Sequence, residues 1–225
     1  MKERSIIQLK KEEFTIKESI KKILGKGKIS KVKIEYTPIG EKIIIFTHKP
    51  GLVIGRKGEK IGEITRAIKT RFKLENPNVE IEEIIHPELD AQINADMITL
   101  QLERFGPLRF KVIAYKTLEK IMNSGALGAE IRLGGKLPGS RAKSWRFSQG
   151  YLKKTGDSAK KVDRAKSTAQ TKPGVIGVKV SILTPNSIPK EGIEINEELI
   201  KKLKANSEKP QEEIIKEKIK KLKKK

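Results

Sequence analysis

The residues best placed to do chemistry lie in the run Val53-Ile54-Gly55-Arg56-Lys57-Gly58-Glu59-Lys60-Ile61. Two glycines frame a tip made of Arg56 and Lys57. Glycine carries no Cβ, so a foreign backbone can come close at either end of that tip. A helical pattern begins directly after Gly58. The free N–H groups and positive dipole end of such a helix favour a phosphate. The stretch therefore predicts a turn between two helical pieces that clamps a nucleic-acid backbone. Its competitor is an ordinary glycine turn on a lysine-rich surface. G-x-x-G is a short pattern, and Gly125 to Gly128 and Gly174 to Gly177 also fit it. Their interiors, Ala126-Leu127 and Val175-Ile176, are apolar, so both are read as turns before strands.

Other residue types point away from catalysis. The histidines are His48 and His86, each beside a Lys or Pro near a strand edge and without a carboxylate cluster. Asp90 and Asp96 are six apart, so on a helix they share a face poorly and make a poor metal pair. There is no G-x-x-x-x-G-K-[ST] phosphate loop, which argues against a GTPase. With 0 cysteines there are no disulfides and no Cys-liganded zinc. No enzyme activity, cofactor or metal is expected.

Charge says more. The chain has 225 residues, a length that favours two modest domains, and its formal net charge is +22. Like charge at that density repels itself in a compact fold, and a polyanionic partner is the simplest reason to keep it. Residues 104–172 carry 17 basic and only 4 acidic groups. The positive field should therefore centre on the second half. No apolar run approaches the length of a membrane span, and no apolar segment follows Met1-Lys2-Glu3-Arg4, so neither a membrane partner nor a signal peptide is expected.

The elements that must hold the turn follow from periodicity. Thr15 and Glu18 have capping-box spacing, followed by Ile16, Ile20, Ile23 and Leu24 at helical period. Val32, Ile34 and Tyr36 alternate as a strand, Pro38 to Gly40 turn, and Ile43 to Phe46 form a second strand. Ile61, Ile64, Ala67, Ile68 and Phe72 mark a helix after the turn, and Val79 and Ile81 a third strand. The order predicts a three-stranded sheet covered on one face by helices.

These residues carry a family resemblance. Ile54-Gly55-x-x-Gly58-x-x-Ile61, with two strands before it and one after, resembles the KH RNA-binding domain in its type II order. The resemblance implies that Gly55, Arg56, Lys57 and Gly58 clamp the backbone of a short single-stranded segment. Ile61 would line the adjoining apolar groove or pack beneath it.

The second half reads as two helices on an antiparallel sheet. Pro87 and Asp90 start a helix carrying Ile93, Met97 and Leu100, and Gly106-Pro107 breaks it. Phe110, Ala114, Leu118 and Ile121 mark the second helix. Three strands are expected, around Ala129 to Leu133, Trp145 to Tyr151 and Val178 to Ile182. Lys153 to Pro173 reads as loop. Lys136, Arg141, Lys143, Arg146, Lys160, Lys161, Arg164, Lys166 and Lys172 are placed on long loops that could follow an irregular phosphate path.

This half also resembles a known partner of the type II domain. Asn94-Ala95-Asp96-x-Ile98, Gln101-Leu102-Glu103-Arg104, Ser124-Gly125-Ala126-x-Gly128, Ser140-Arg141-Ala142-Lys143-Ser144 and Gly174-Val175-Ile176-Gly177-Val178 resemble the C-terminal domain of the small-subunit ribosomal protein three family, in its archaeal or eukaryote-like form. The resemblance implies a place in the small-subunit head, with ribosomal RNA, mRNA where it enters the subunit, and neighbouring ribosomal proteins as partners. It implies that Arg109, Lys111 and Lys116 contact incoming mRNA and help open its duplexes. Val112 departs from the pattern, since many relatives have there the second of two adjacent arginines.

The expected layout is thus α+β: a type II KH domain over 1–87, a second α+β domain over 88–187, and a charged tail over 188–225. In the tail Leu199, Ile200, Leu203, Ile214, Ile215, Ile219 and Leu222 could form short amphipathic helices. The RNA-binding residues expected are Gly55, Arg56, Lys57, Gly58, Arg109, Lys111, Lys116, Lys136, Arg141, Lys143 and Arg146. The expected setting is cytoplasmic and ribosome-bound. A free KH-type RNA chaperone or transcription factor is the binding alternative, and a nuclease or lyase the enzymatic one.

Overall fold

Two sheets, each with helices on one face, carry the chain. The computed structural model describes residues 2–37, 40–72, 77–139 and 141–187. The chain divides into units Met1–Ile188 and Pro189–Lys225, and every element below belongs to the first. The expected tail helices and most of the Pro38–Gly40 turn lie outside the described residues.

The first sheet is built from β1 (Val32–Thr37), β2 (Gly40–Thr47) and β3 (Asn78–Glu83), in that spatial order. β1 and β2 are antiparallel and β2 and β3 parallel. A parallel pair needs a crossover. It is supplied by α2 (Pro50–Ile54) and α3 (Glu59–Phe72), with the Gly55–Gly58 turn between them. One face is closed by α3 and by α1 (Lys2–Leu24), whose Ile16, Ile20 and Leu24 pack with Ile43, Ile45, Ile64 and Ile68.

α1 overturns the capping-box expectation. The helix begins thirteen residues before Thr15, at Lys2. The Thr15 hydroxyl donates to the Lys11 carbonyl at 2.8 Å, a mid-helix contact and not a cap. The run before it is rich in good helix formers and carries a Lys10–Glu13 ion pair at 3.0 Å, so nothing stops the helix there. Ile23, expected on the buried face, is exposed.

The second sheet has strand order β5-β4-β7-β6 and is wholly antiparallel, with β4 (Gly128–Gly135), β5 (Lys143–Gly150), β6 (Asp163–Thr171) and β7 (Gly174–Leu183). α4 (Ala91–Phe105) covers β6 and β7, and α5 (Phe110–Asn123) covers β4 and β5. Asp90 caps α4 by accepting from the Gln92 and Ile93 N–H groups at 2.8 and 3.1 Å.

Two expectations fail here. β6 occupies Asp163–Thr171, inside the stretch Lys153 to Pro173 that reads as loop. Its inward positions are Ala165, Ser167, Ala169 and Thr171, small residues that alternate with Arg164, Lys166, Thr168 and Gln170. The period of a strand is present, but no large apolar side chain announces it. Several cations assigned to loops therefore stand on rigid strands. The core face of α4 is also not the Ile93, Met97, Leu100 stripe but Ala91, Ala95, Ile98 and Leu102. α4 has a second neighbour, the segment after α1. Gly27 N–H donates to Asp96 Oδ2 at 3.0 Å, and Lys26 Nζ lies 3.1 Å from Glu103 Oε1. Leu100 lies toward this segment: a Cβ on Gly27 would meet its Cδ1 at 2.9 Å.

Candidate nucleic-acid interface

Three cationic regions can be built from the residues upward. The first is the turn after α2. Pro50 fits the first turn of that helix because its missing N–H would be unpaired there anyway. Gly55 N–H closes the helix on the Gly51 carbonyl at 3.1 Å. Gly55 then takes φ 74° and ψ −178°, a conformation essentially reserved for glycine. Lys57 has φ 50°, the one non-glycine with positive φ among the described residues, and Gly58 has φ 79°. This left-handed path turns the chain sharply and leaves Arg56 and Lys57 exposed at the tip, directly before the first turn of α3.

The surroundings sharpen the picture. A depression of about 430 Å³ beside the turn is lined by Lys57, Gly58, Glu59, Gly62, Glu63 and Arg66. Glu59 and Glu63 balance Lys57 and Arg66 there. Net attraction for a phosphate is therefore confined to the tip, where Arg56 and Lys57 stand exposed. Val53 is fully buried, whereas Leu52 and Ile54 are exposed and Ile61 half-buried outside the core cluster. Apolar surface thus adjoins the clamp.

The second region lies around the start of α5. Gly106, with φ 81°, and Pro107 end α4 and turn the chain into α5. Phe110 is buried against Trp145, with ring centroids 5.7 Å apart. Arg109, Lys111 and Lys116 are all exposed, but they are not one group. Val112 and Lys116, four apart, share one face of α5, and Arg109 stands exposed at its N-cap, directly before Phe110. Lys111 turns to β5, where its Nζ lies 4.7 Å from the Trp145 ring centroid. Val112 and Leu108 are 65% and 80% exposed, so this face mixes apolar and cationic side chains.

The third region is the face of the second sheet that the helices leave open. Lys136 and Arg141 stand exposed in the β4–β5 connection, and Ser140 lies outside the described residues. Lys143 and Arg146 lie three apart on β5, so they fall on opposite faces. Arg146 belongs to the open face, with Glu130 and Arg132 of β4. Glu130 is only 5% exposed yet charged. Its Oε2 lies 2.9 Å from Lys154 Nζ and 3.2 Å from Arg146 Nε, and its Oε1 accepts from Arg132 Nε. Burial alone would raise this carboxyl. Hydrogen bonds from Lys154 and Arg132, with their charges, outweigh it and hold the carboxyl below the ordinary carboxylate range.

Arg132, Lys154 and Lys179 are interface candidates that sequence reasoning did not single out. Glu130 and Arg132 alternate with the buried Ala129, Ile131 and Leu133, which puts both on the outer face of β4. The register that sets Arg132 beside Arg146 and Lys179 is long-range and has no local signal. Asp90 and Asp96 are committed to structure: Asp90 caps α4 and accepts from Ser30, and Asp96 accepts from Gly27 and Gln92. Among the described residues no helix is long and apolar enough to cross a membrane.

Comparison with known proteins gives two family matches. Residues 15–89 match the KH domain, and residues 98–182 match "Ribosomal protein S3, C-terminal domain". The chain is 39% identical to "Small ribosomal subunit protein uS3" of Methanocaldococcus jannaschii, over 88% of this chain and 95% of that protein. It is 41% identical to the protein of that name from Methanosphaera stadtmanae, over 73% of this chain and 65% of the relative. For Halobacterium salinarum the identity is 42%, over 72% of this chain and 53% of the relative.

Proposed function

The chain belongs to the small ribosomal subunit protein uS3 family, and from that premise we propose that it is a structural, RNA-binding constituent of the small ribosomal subunit, without catalysis of its own. The observation that carries this reading is the pairing of a KH fold, its glycine turn tipped by Arg56 and Lys57, with a second sheet whose open face is cationic. In this reading residues 1–87 are the KH domain, 88–187 the second domain and 188–225 a charged tail. Ribosomal RNA and neighbouring ribosomal proteins are its partners, and Gly55, Arg56, Lys57 and Gly58 form one RNA contact. Arg146 on the open face, with Lys136 and Arg141 in the adjoining connection, forms a broader one, and Lys143, on the opposite face of β5, forms a separate one. It works in the cytoplasm.

The finer proposal is a place in the subunit head where mRNA enters. Arg109 stands exposed at the N-cap of α5, Lys116 on the exposed face of that helix, and Lys111 beside Trp145. Cations on a rigid helix can hold separated phosphates, while Leu108 and Val112 offer apolar surface to an unstacked base. Changing Arg109, Lys111 and Lys116 together to Ala is expected to slow translation through structured mRNA more than through unstructured mRNA. Equal slowing on both removes the duplex-opening role. The constituent role is tested by sedimentation: the chain is expected to stay with small subunits through a high-salt wash. A free RNA chaperone or transcription factor would dissociate, since purely electrostatic binding weakens steeply with salt.

A further inference from the structure

The open face of the second sheet holds an arrangement more specific than the RNA-binding reading requires. The register places Arg146 of β5 beside Arg132 of β4, Arg132 beside Lys179 of β7, and Lys179 beside Lys166 of β6. One cation from every strand stands in a single row across the sheet. At about 4.8 Å per strand the row spans about 14 Å. Like charges directly opposite one another destabilise a sheet, so the row is unfavourable unless something neutralises it. Glu130 offsets part of it at one end, where its single carboxylate meets Arg146, Arg132 and Lys154. At the other end, among the described residues, neither Lys166 nor Lys179 has an acidic partner. A concavity of about 340 Å³ opens there, lined by Glu130, Arg132, Lys154, Arg164, Lys166 and Lys179 among others.

The outward residues also say what kind of anion fits. On the neighbouring rows they are Ser144, Gly134, Gly177 and Thr168 on one side, and Ser148, Glu130, Ser181 and Arg164 on the other. None is aromatic. A surface that reads splayed single-stranded bases needs aromatic platforms, and the three rows offer none: apart from Glu130 they carry cations, small hydroxyls and glycine. Its match is a phosphate backbone whose bases are turned away.

We propose that the row Arg146–Arg132–Lys179–Lys166 is a docking site for the sugar-phosphate backbone of base-paired RNA, with Glu130 as the positioning residue that holds the two arginines in line. The inference rests on the RNA-binding reading above and is separate from the single-stranded contact at Gly55–Gly58. The row supplies charge, and the buried carboxylate fixes its geometry. Arg132 and Arg146 are bound by Glu130 through Nε, which leaves their terminal nitrogens to donate to phosphate oxygens.

The test uses the full chain, a blunt RNA duplex of about 16 base pairs and an unstructured oligouridine. One variant carries Arg132→Gln, Lys166→Gln and Lys179→Gln. A charge-matched control carries Lys160→Gln, Lys161→Gln and Lys172→Gln. The row variant is expected to lose roughly tenfold more duplex affinity than the control, with a salt dependence flatter by about two to three phosphate contacts. Its oligouridine affinity should equal the control's. Equal duplex losses in the two variants overturn the site, and a matching extra loss on oligouridine overturns the base-paired assignment. Wild-type chain that binds neither RNA overturns the ribosomal reading as well, so the two failures are distinguishable. Glu130→Gln removes a negative charge and by charge alone should tighten duplex binding. The positioning role predicts weaker binding with cooperative unfolding retained, and tighter binding overturns that role.

Discussion

The Gly55–Gly58 turn and the open face of the second sheet both present cations to solvent, but they fix them in opposite ways. At the turn the backbone does the positioning. Positive φ at Gly55, Lys57 and Gly58 folds the chain back, and Arg56 and Lys57 project because the main chain leaves no alternative. On the sheet the backbone is regular and the side chains do the positioning, through one buried carboxylate and a cross-strand register. A site made by local backbone geometry can be read from a few consecutive residues. A site made by register is spread over fifty residues, and no short stretch contains it.

Substitutions that separate the two mechanisms differ in size. The largest effect is expected at Gly128, where a Cβ would lie 2.1 Å from the Tyr151 backbone carbonyl oxygen. Backbone cannot yield as a side chain does, so Gly128→Ala should cost more than about 3 kcal/mol and pull β5 away from β4. Gly55→Ala meets only the stem of Lys60, at 2.8 Å, and should cost about 1 kcal/mol, mostly from its φ. Denaturant unfolding of both variants checks the contrast.

Next in size is the loss of Glu130. Its partners are about half exposed, so Glu130→Gln should cost only about 1–2 kcal/mol at neutral pH. A carboxyl held below its ordinary value stabilises fully above the unfolded pKa of about 4.3, and that stability is lost as the pH falls through the lower folded value. The stability gap between wild type and Glu130→Gln should therefore close in acid. A gap that widens on acidification would contradict the assigned ion cluster.

The smallest change in fold and the most selective change in binding is expected at the turn. Arg56→Asp with Lys57→Asp should leave unfolding nearly unchanged, because both side chains are exposed, and weaken single-stranded RNA binding by about tenfold, or about 1.4 kcal/mol. Duplex affinity should move less. Equal losses on both RNAs would remove the division of labour between the regions.

Several elements in both halves are legible because each announces itself by period or punctuation. Val79 and Ile81 flanked by glutamates, Phe110 to Ile121 at helical spacing, and Gly106-Pro107 are such cases, and all stand where expected. What stayed hidden shares one cause, a signal set by a distant partner. β6 buries Ala165 and Ala169, which are too small to mark a strand by hydropathy. α4 serves two neighbours at once, so its apolar residues spread over more than one face, and a buried Asp96 answers Gly27 from the first sheet's side. Thr15 offers the spelling of a cap, but favourable residues before it carry the helix through. Glu130 alternates with Ala129 and Ile131, which is the only local sign of its outward place on β4. That it is buried under Lys154 and flanked by two arginines follows only from the folded register.

The central claim is that both cationic surfaces exist because ribosomal RNA neutralises them. It is tested most directly by placing a photo-crosslinking residue at position 57 or position 179, assembling each variant into small subunits, and sequencing what is captured. The account predicts ribosomal RNA at both positions, in unpaired nucleotides from 57 and in a base-paired segment from 179. Capture of protein alone at both positions, from subunits that contain the chain, would contradict it.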